Sequence, residues 1–213
     1  MKKEIAQILL ELNAVALRLD PPFTWASGRF SPIYCDNRLI ISSPKDRKTV
    51  AQAFVDLIAA NGWQPDVIAG TATAGIPHAA WVAELMDLPM VYVRGAAKGH
   101  GKQNRIEGRL LPGQKVVLIE DLISTGKSSI EAASGVVDAE GDLLGVAAIF
   151  TYGLPVAGQQ FADAQMAFDT LTSFETLMDV AEELGTLTGE QKEIIAAWQQ
   201  DPAGWSKDLG GAA

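Results

Sequence analysis

The sequence predicts an α/β fold, a parallel sheet with helices on both faces, in a single domain spanning residues 1–213. Two observations carry that prediction. From residue 66 onward, short continuous apolar runs alternate with helix-spaced segments, as in strands buried on both faces. Several of these runs also end in turns rich in Gly, Ser and Thr, where a strand hands over to a helix. The core sheet is expected over about 62–175, with closing helices over about 174–200.

Residues 4–19 place Ile5, Ile8, Leu9, Leu12, Ala16 and Leu19 on one helical face, and Pro21-Pro22 ends that helix. Around Gly28 and Pro32, the stretch 23–40 reads as a turn between two short strands. Ser43 caps the next helix and Pro44 occupies its first position. Val50, Phe54, Leu57 and Ile58 form its buried stripe, and Asn61-Gly62 closes it. Strands follow at 66–70, 90–94, 115–121 and 143–152, with a fifth within 164–174. Helices are expected near 76–86, 127–140, 174–184 and 188–199. The tail from Asp201 is small and polar and is expected to fray.

Composition narrows the function. Hydrophobic residues make up 48% and charged residues 20%, which is ordinary for a globular chain. Lys+Arg is 17 against Asp+Glu 26, a net charge of −9, which argues against a nucleic-acid partner. The single cysteine, Cys35, excludes an intrachain disulfide and a multi-cysteine zinc site. His78 and His100 are too far apart for a local metal motif, and His78, in an apolar helix start, reads as structural. No apolar run approaches the roughly 18 residues of a membrane span. Polar residues interrupt the N-terminal apolar pattern. The expectation is a cytoplasmic protein without a membrane partner.

The strongest signal is VVLIEDLISTGKSS, residues 116–129. Val116 to Ile119 carry Glu120 and Asp121 to a strand end, where adjacent carboxylates are costly unless something pairs with them. Vicinal sugar hydroxyls are suitable donors. The Ser/Thr/Gly turn beyond them would converge backbone N–H groups at a helix start, a site for a phosphate. Together they describe a clamp for ribose 5-phosphate. A P-loop would need glycine at position 121, where Asp121 stands. A plain helix capped by Ser124 or Thr125 would explain the hydroxyls but not the acidic pair.

Two more loops belong at the same end of the sheet. GTATAGIP (70–77) either holds a pyrophosphate on its threonines and amides or is a plain strand-to-helix turn. RGAAKGHGKQNRIEGR (94–109) holds five basic residues and one acid inside an acidic chain. A cationic loop of this kind can close over a polyanion and exclude water.

Residues 116–129 resemble the phosphoribosyl-pyrophosphate (PRPP) signature of type I phosphoribosyltransferases. FTWASGRFSPIYCDNR and RGAAKGHG resemble the orotate branch of that family, over about residues 1–200. The resemblance implies the type I phosphoribosyltransferase fold, with a small N-terminal hood over about residues 1–40. It implies PRPP and orotate as substrates and a homodimer in which loop 94–109 is shared across the interface. PRPP contacts are implied at Arg94, Lys98, His100, Glu120, Asp121, Leu122, Ile123, Ser124, Thr125, Gly126, Lys127 and Ser128. Ser124 also matches a position that touches orotate, and Lys98 and His100 carry catalysis by stabilising the departing pyrophosphate. Residues 71–75 would meet the pyrophosphate. Mg²⁺ is expected to arrive on PRPP rather than in a protein cage.

Three positions depart from some family members. Ala26 replaces a lysine, Gly95 replaces a second basic residue after Arg94, and Tyr152 stands about where an orotate-binding arginine occurs. The orotate carboxylate is therefore left without its usual partner. Arg38 reads equally as a sheet-edge charge or as a carboxylate partner. The implied reaction joins orotate and PRPP to give orotidine 5′-phosphate and pyrophosphate, through an oxocarbenium-like ribose. Transfer to another nucleobase, or a non-catalytic PRPP sensor that binds nucleic acid, are the rival functions.

Overall fold

The computed structural model describes residues 1–25, 27–95 and 105–212. The apolar runs form the interior of one six-stranded sheet. Its strands are β5 (Val67–Thr71), β6 (Met90–Val93), β7 (Ile106–Glu107), β8 (Lys115–Ile123), β9 (Asp142–Thr151) and β10 (Phe168–Ser173). They lie in the order β10-β9-β8-β5-β6-β7, all parallel except the antiparallel β6–β7 pair. From β5 the chain moves one way, to β6, and then crosses to β8 on the other side and continues outward to β9 and β10. The direction therefore reverses between β5 and β8, and a crevice opens beyond their carboxyl ends.

Side-chain alternation sends each strand's residues to two separate cores. On one face, Ile68, Val117, Ile119, Ala147 and Ile149 pack under α2 (Pro44–Ala60), α3 (Gly75–Met86) and α6 (Phe174–Glu183). On the other, Val67, Ala69, Val116, Leu118, Val146 and Ala148 pack under α4 (Lys127–Asp138) and α5 (Pro155–Asp163). The expected parallel sheet, covered on both faces, is what forms. Phe54, Phe150, Phe174 and Trp198 are the bulkiest fully buried members of the first core. Each fully buried side chain of this size contributes on the order of 3 kcal/mol. Ser43 accepts from the Asp46 N–H with Pro44 in the first turn, the cap that the sequence predicts for α2.

Three local expectations change. The first helix, α1 (Lys2–Glu11), stops well before Pro21. Asn13 takes a left-handed conformation (φ 52°), and β1 (Val15–Leu17) pairs antiparallel with β4 (Ile33–Cys35). Ala16 and Leu19 keep the helical spacing by coincidence; strand pairing captures the segment instead. The basic segment 94–109 contributes a strand at its far end, β7, so its root is an antiparallel ribbon on the sheet edge. The tail does not fray. Beyond the expected α7 (Gly189–Gln200) it forms α8 (Pro202–Asp208), with Asp201 capping α8 by accepting from the Gly204 N–H.

That last helix braces the hood. β2 (Phe23–Thr24) and β3 (Phe30–Ser31) make the short hairpin that the sequence predicts, turning at Gly28 (φ 82°), a conformation that suits glycine. The buried Ser206 of α8 accepts the Phe30 N–H at 2.9 Å and donates to the Ala212 carbonyl at 2.6 Å. The Ala212 N–H in turn reaches the Gly28 carbonyl at 3.1 Å.

Candidate active site

β8 runs two residues past the expected end, to Ile123, and carries Glu120 and Asp121 into the crevice. A cavity of about 360 Å³ opens there, lined by Thr71 to Ala74 after β5, by Glu120 and Asp121, and by Ser124, Thr125 and Ser128. The cavity therefore joins the loop after β5 to the one after β8, two of the loops that the sequence singles out.

Glu120 is buried, and three hydrogen bonds hold its carboxylate. Its Oε1 accepts from Thr71 Oγ1 at 2.6 Å and from the Asp121 N–H at 3.0 Å, and its Oε2 accepts from Ser129 Oγ at 3.0 Å. Burial, and then the neighbouring Asp121 charge, push its pKa up to about 7. Asp121 is partly buried, and burial raises its pKa too. Among the described residues neither carboxylate is in an ion pair. Two carboxylates held side by side without a cation are primed for an outside donor.

The phosphate end is as open as the acid end. Gly126 occupies the N-cap of α4 with φ 87°, and no side chain caps the helix. Ser124 and Thr125 thus leave the cap to glycine, contrary to the plain capped-helix alternative. The first N–H groups of α4 have no side-chain acceptor, and an anion can take them. On the other wall, the Cβ of an alanine at Gly75 would strike Thr71 Oγ1 and the Ile119 carbonyl. Glycine at 75 lets the start of α3 come this close to β8. The Ala72–Thr73 peptide between these walls is cis.

The remaining implied residues divide. Leu122 lines the cavity, while Ile123 is turned into the core by strand alternation. Gly126 is buried behind the turn, and Lys127 is exposed and lines a separate surface hollow with Ile130 and Gln160. Arg94, just after β6, pairs with Glu107 at 3.1 Å. Lys98 and His100 lie outside the described residues, as does Ala26. Arg105, one of the five basic residues of segment 94–109, lines the cavity. Its Nε donates to the Arg94 carbonyl and its Nη1 to the Glu131 carbonyl of α4, pinning the root of the basic segment.

On the hood side, Asn37 is the residue that sequence reasoning missed. It is buried, its Nδ2 donates to the Asp121 carbonyl at 2.6 Å, and its Oδ1 accepts from the Cys35 thiol at 3.3 Å. Arg38 resolves as a carboxylate partner, gripping Asp36 through Nε at 2.6 Å and Nη2 at 2.8 Å. Tyr152 is buried beside Trp25, Phe150 and Trp198, and burial keeps its phenol protonated. His78 is fully buried in α3 against Phe54 and Trp81, with neither ring nitrogen hydrogen-bonded among the described residues.

The chain is similar to proteins of one family. Residues 41–154 match the family described as the phosphoribosyl transferase domain. The chain is 50% identical to an orotate phosphoribosyltransferase of Listeria monocytogenes, over 97% of this chain and 99% of the relative. It is 52% identical to one of Enterococcus faecalis, over 96% of this chain and 98% of the relative. The crystal structure of orotate phosphoribosyltransferase from Aeropyrum pernix superposes with a TM-score of 0.74 at 24% identity, covering 86% of this chain and 99% of that one. That likeness shows the fold.

Proposed function

The chain belongs to the orotate phosphoribosyltransferase family, and we infer that it transfers the 5-phosphoribosyl group of PRPP to orotate, giving orotidine 5′-phosphate and pyrophosphate in pyrimidine biosynthesis. The observation that carries the site is the pairing, in one cavity, of two carboxylates that no described residue holds in an ion pair and a helix start that no described side chain caps. The first suits a diol and the second a phosphate, and PRPP offers both on one ribose.

In this reading, Glu120 and Asp121 hold the ribose hydroxyls. Ser124 to Ser128 hold the 5-phosphate through backbone N–H groups and hydroxyls, and Ser124 also reaches orotate. The loop 71–75 faces the pyrophosphate. Arg94, Lys98 and His100 stabilise charge on that leaving group as the bond to C1 of the ribose lengthens. The last two assignments rest on the sequence motif alone. Orotate would lie between the acid pair and the hood, near Tyr34 and Cys35. Tyr152, neutral and walled by aromatic rings, gives that side no positive charge for the orotate carboxylate.

Mg²⁺ fits this site as a passenger on PRPP. Carboxylates and hydroxyls line the cavity, the oxygen-rich setting that magnesium favours, and Glu120 and Asp121 would hold the ribose of the PRPP that carries the ion. When bound, Mg²⁺ neutralises charge on the pyrophosphate. A homodimer sharing loop 94–109 also belongs to the proposal; the ribbon of Arg94 and Arg105 gives that loop a fixed root. No described helix is long and apolar enough to cross a membrane. A reducing cytoplasm would keep the free thiol of Cys35 as it is.

A spectrophotometric assay tests the reading: orotate consumption with PRPP and Mg²⁺, with and without EDTA, beside uracil, adenine and hypoxanthine. Orotate-specific, EDTA-sensitive turnover with pyrophosphate release is expected. Turnover of another base but not orotate, or no turnover at all, would overturn it.

A further inference from the structure

An ionised carboxylate offers about four lone-pair positions. At Glu120 the protein fills three of them: two on Oε1, from Thr71 and the Asp121 N–H, and one on Oε2, from Ser129. Of the positions open to a hydroxyl or N–H donor, one remains, on Oε2, with the Asp121 carboxyl beside it. The donors come from three elements: the last residue of β5, the strand β8 itself, and the first turn of α4. No hydroxyl of a described residue reaches the Asp121 carboxylate.

We propose that Thr71 and Ser129 are positioning residues for phosphoribosyl transfer. They fix Glu120 so that its single open lone pair meets the ribose diol, and they leave Asp121 to take most of the sugar's hydroxyl contact. This deepens the reading of the cavity as the PRPP site and rests on it.

Local chemistry supports the assignment. A serine inside a helix ordinarily turns its hydroxyl to solvent or to the carbonyl four residues back. Ser129 instead sends it to Glu120 and is fully buried in doing so. Thr71 Oγ1 has one proton to give. The carboxylate at 2.6 Å takes it in preference to the Ile119 carbonyl at 3.3 Å, because a charged acceptor makes the stronger bond. The arrangement also ties three parts of the cavity together. Thr71 opens the loop proposed for pyrophosphate, and Ser129 follows the turn proposed for the 5-phosphate. Both meet on the carboxylate proposed for the ribose.

The test uses the full chain with Thr71→Val, Thr71→Ser and Ser129→Ala, each alone and combined with Glu120→Gln, plus Asp121→Asn as a control. Calorimetric titration with PRPP and Mg²⁺ is the readout, with melting curves confirming the fold. Thr71→Val and Ser129→Ala should each weaken PRPP about tenfold or more, as expected for a lost hydrogen bond to a charged acceptor. Thr71→Ser should restore most of the loss. In the Glu120→Gln background the same two changes should cost far less, since they act through Glu120. Wild-type affinity in the single variants, or equal losses in both backgrounds, would overturn the proposal. Should Thr71→Val not fold, the Ser129 arm decides alone. If Asp121→Asn abolishes PRPP binding while the single variants leave it intact, only the positioning role falls. If Asp121→Asn binds PRPP normally, the site reading itself falls.

Discussion

Asn37 donates from Nδ2 to the backbone carbonyl of Asp121 at 2.6 Å, across 84 positions of sequence. The bond ties the hood to the tip of β8 at the acid pair, so the sites assigned to base and ribose share one anchor. Asn37→Ala should leave that buried carbonyl unsatisfied and cost about 1–3 kcal/mol of stability. Orotate would lose its alignment, and its KM should rise more than that of PRPP. Steady-state kinetics beside a melting curve checks both.

Ser206 is the matching anchor from the C-terminus. Ser206→Ala removes the acceptor of the Phe30 N–H and the donor to the Ala212 carbonyl. Hydrogen exchange at the Phe30 amide should accelerate while exchange at central strands such as β8 stays slow. Unchanged protection at Phe30 would mean that α8 does not brace the hairpin.

Glu120 and His78 give stability opposite pH trends. The Glu120 carboxyl is pushed up from 4.5 to about 7, first by burial and then by Asp121. The folded state thus holds a proton that the unfolded state releases. Its contribution is fully present below about pH 4.5 and is lost as pH rises through about 7. The His78 imidazole is lowered by burial from 6.5 to about 4. Its contribution is present above 6.5 and is lost as pH falls toward 4. Each term reaches at most about 3 kcal/mol. Glu120→Gln should raise the melting temperature of the unliganded protein at pH 8 and do little at pH 4.5. His78→Leu should soften the acid-side loss. Melting curves from pH 4.5 to 8 check both slopes.

Lys98→Ala should lower kcat far more than it weakens PRPP at equilibrium, because the proposed role is stabilising charge on the leaving pyrophosphate. Arg105→Ala, which frees the root of the same segment from α4, should lower kcat less. Rapid-quench turnover beside PRPP titration separates the two effects.

What the sequence made legible follows from range. The buried strands, the Ser43-Pro44 cap and the acid pair at a strand end are all set by near neighbours, and each appears where the pattern put it. Contacts between distant segments were not legible. The segment 15–17 keeps a helical spacing, yet it pairs with 33–35 because that pairing satisfies its backbone. Ile106 and Glu107 look like part of a charged loop until β6 offers an edge to extend. The tail looks too polar to order, but Ser206 finds the Phe30 N–H 176 positions away. Thr71 and Asn37 carry no local signal for what they touch, since their partners lie 49 and 84 positions on.

The most direct test of the site is a crystal of the protein soaked with PRPP and Mg²⁺. The ribose hydroxyls should lie within hydrogen-bond distance of Asp121 and of Glu120 Oε2, with the 5-phosphate on the amides at the start of α4. A cavity left vacant, or PRPP bound elsewhere on the sheet, would contradict the account.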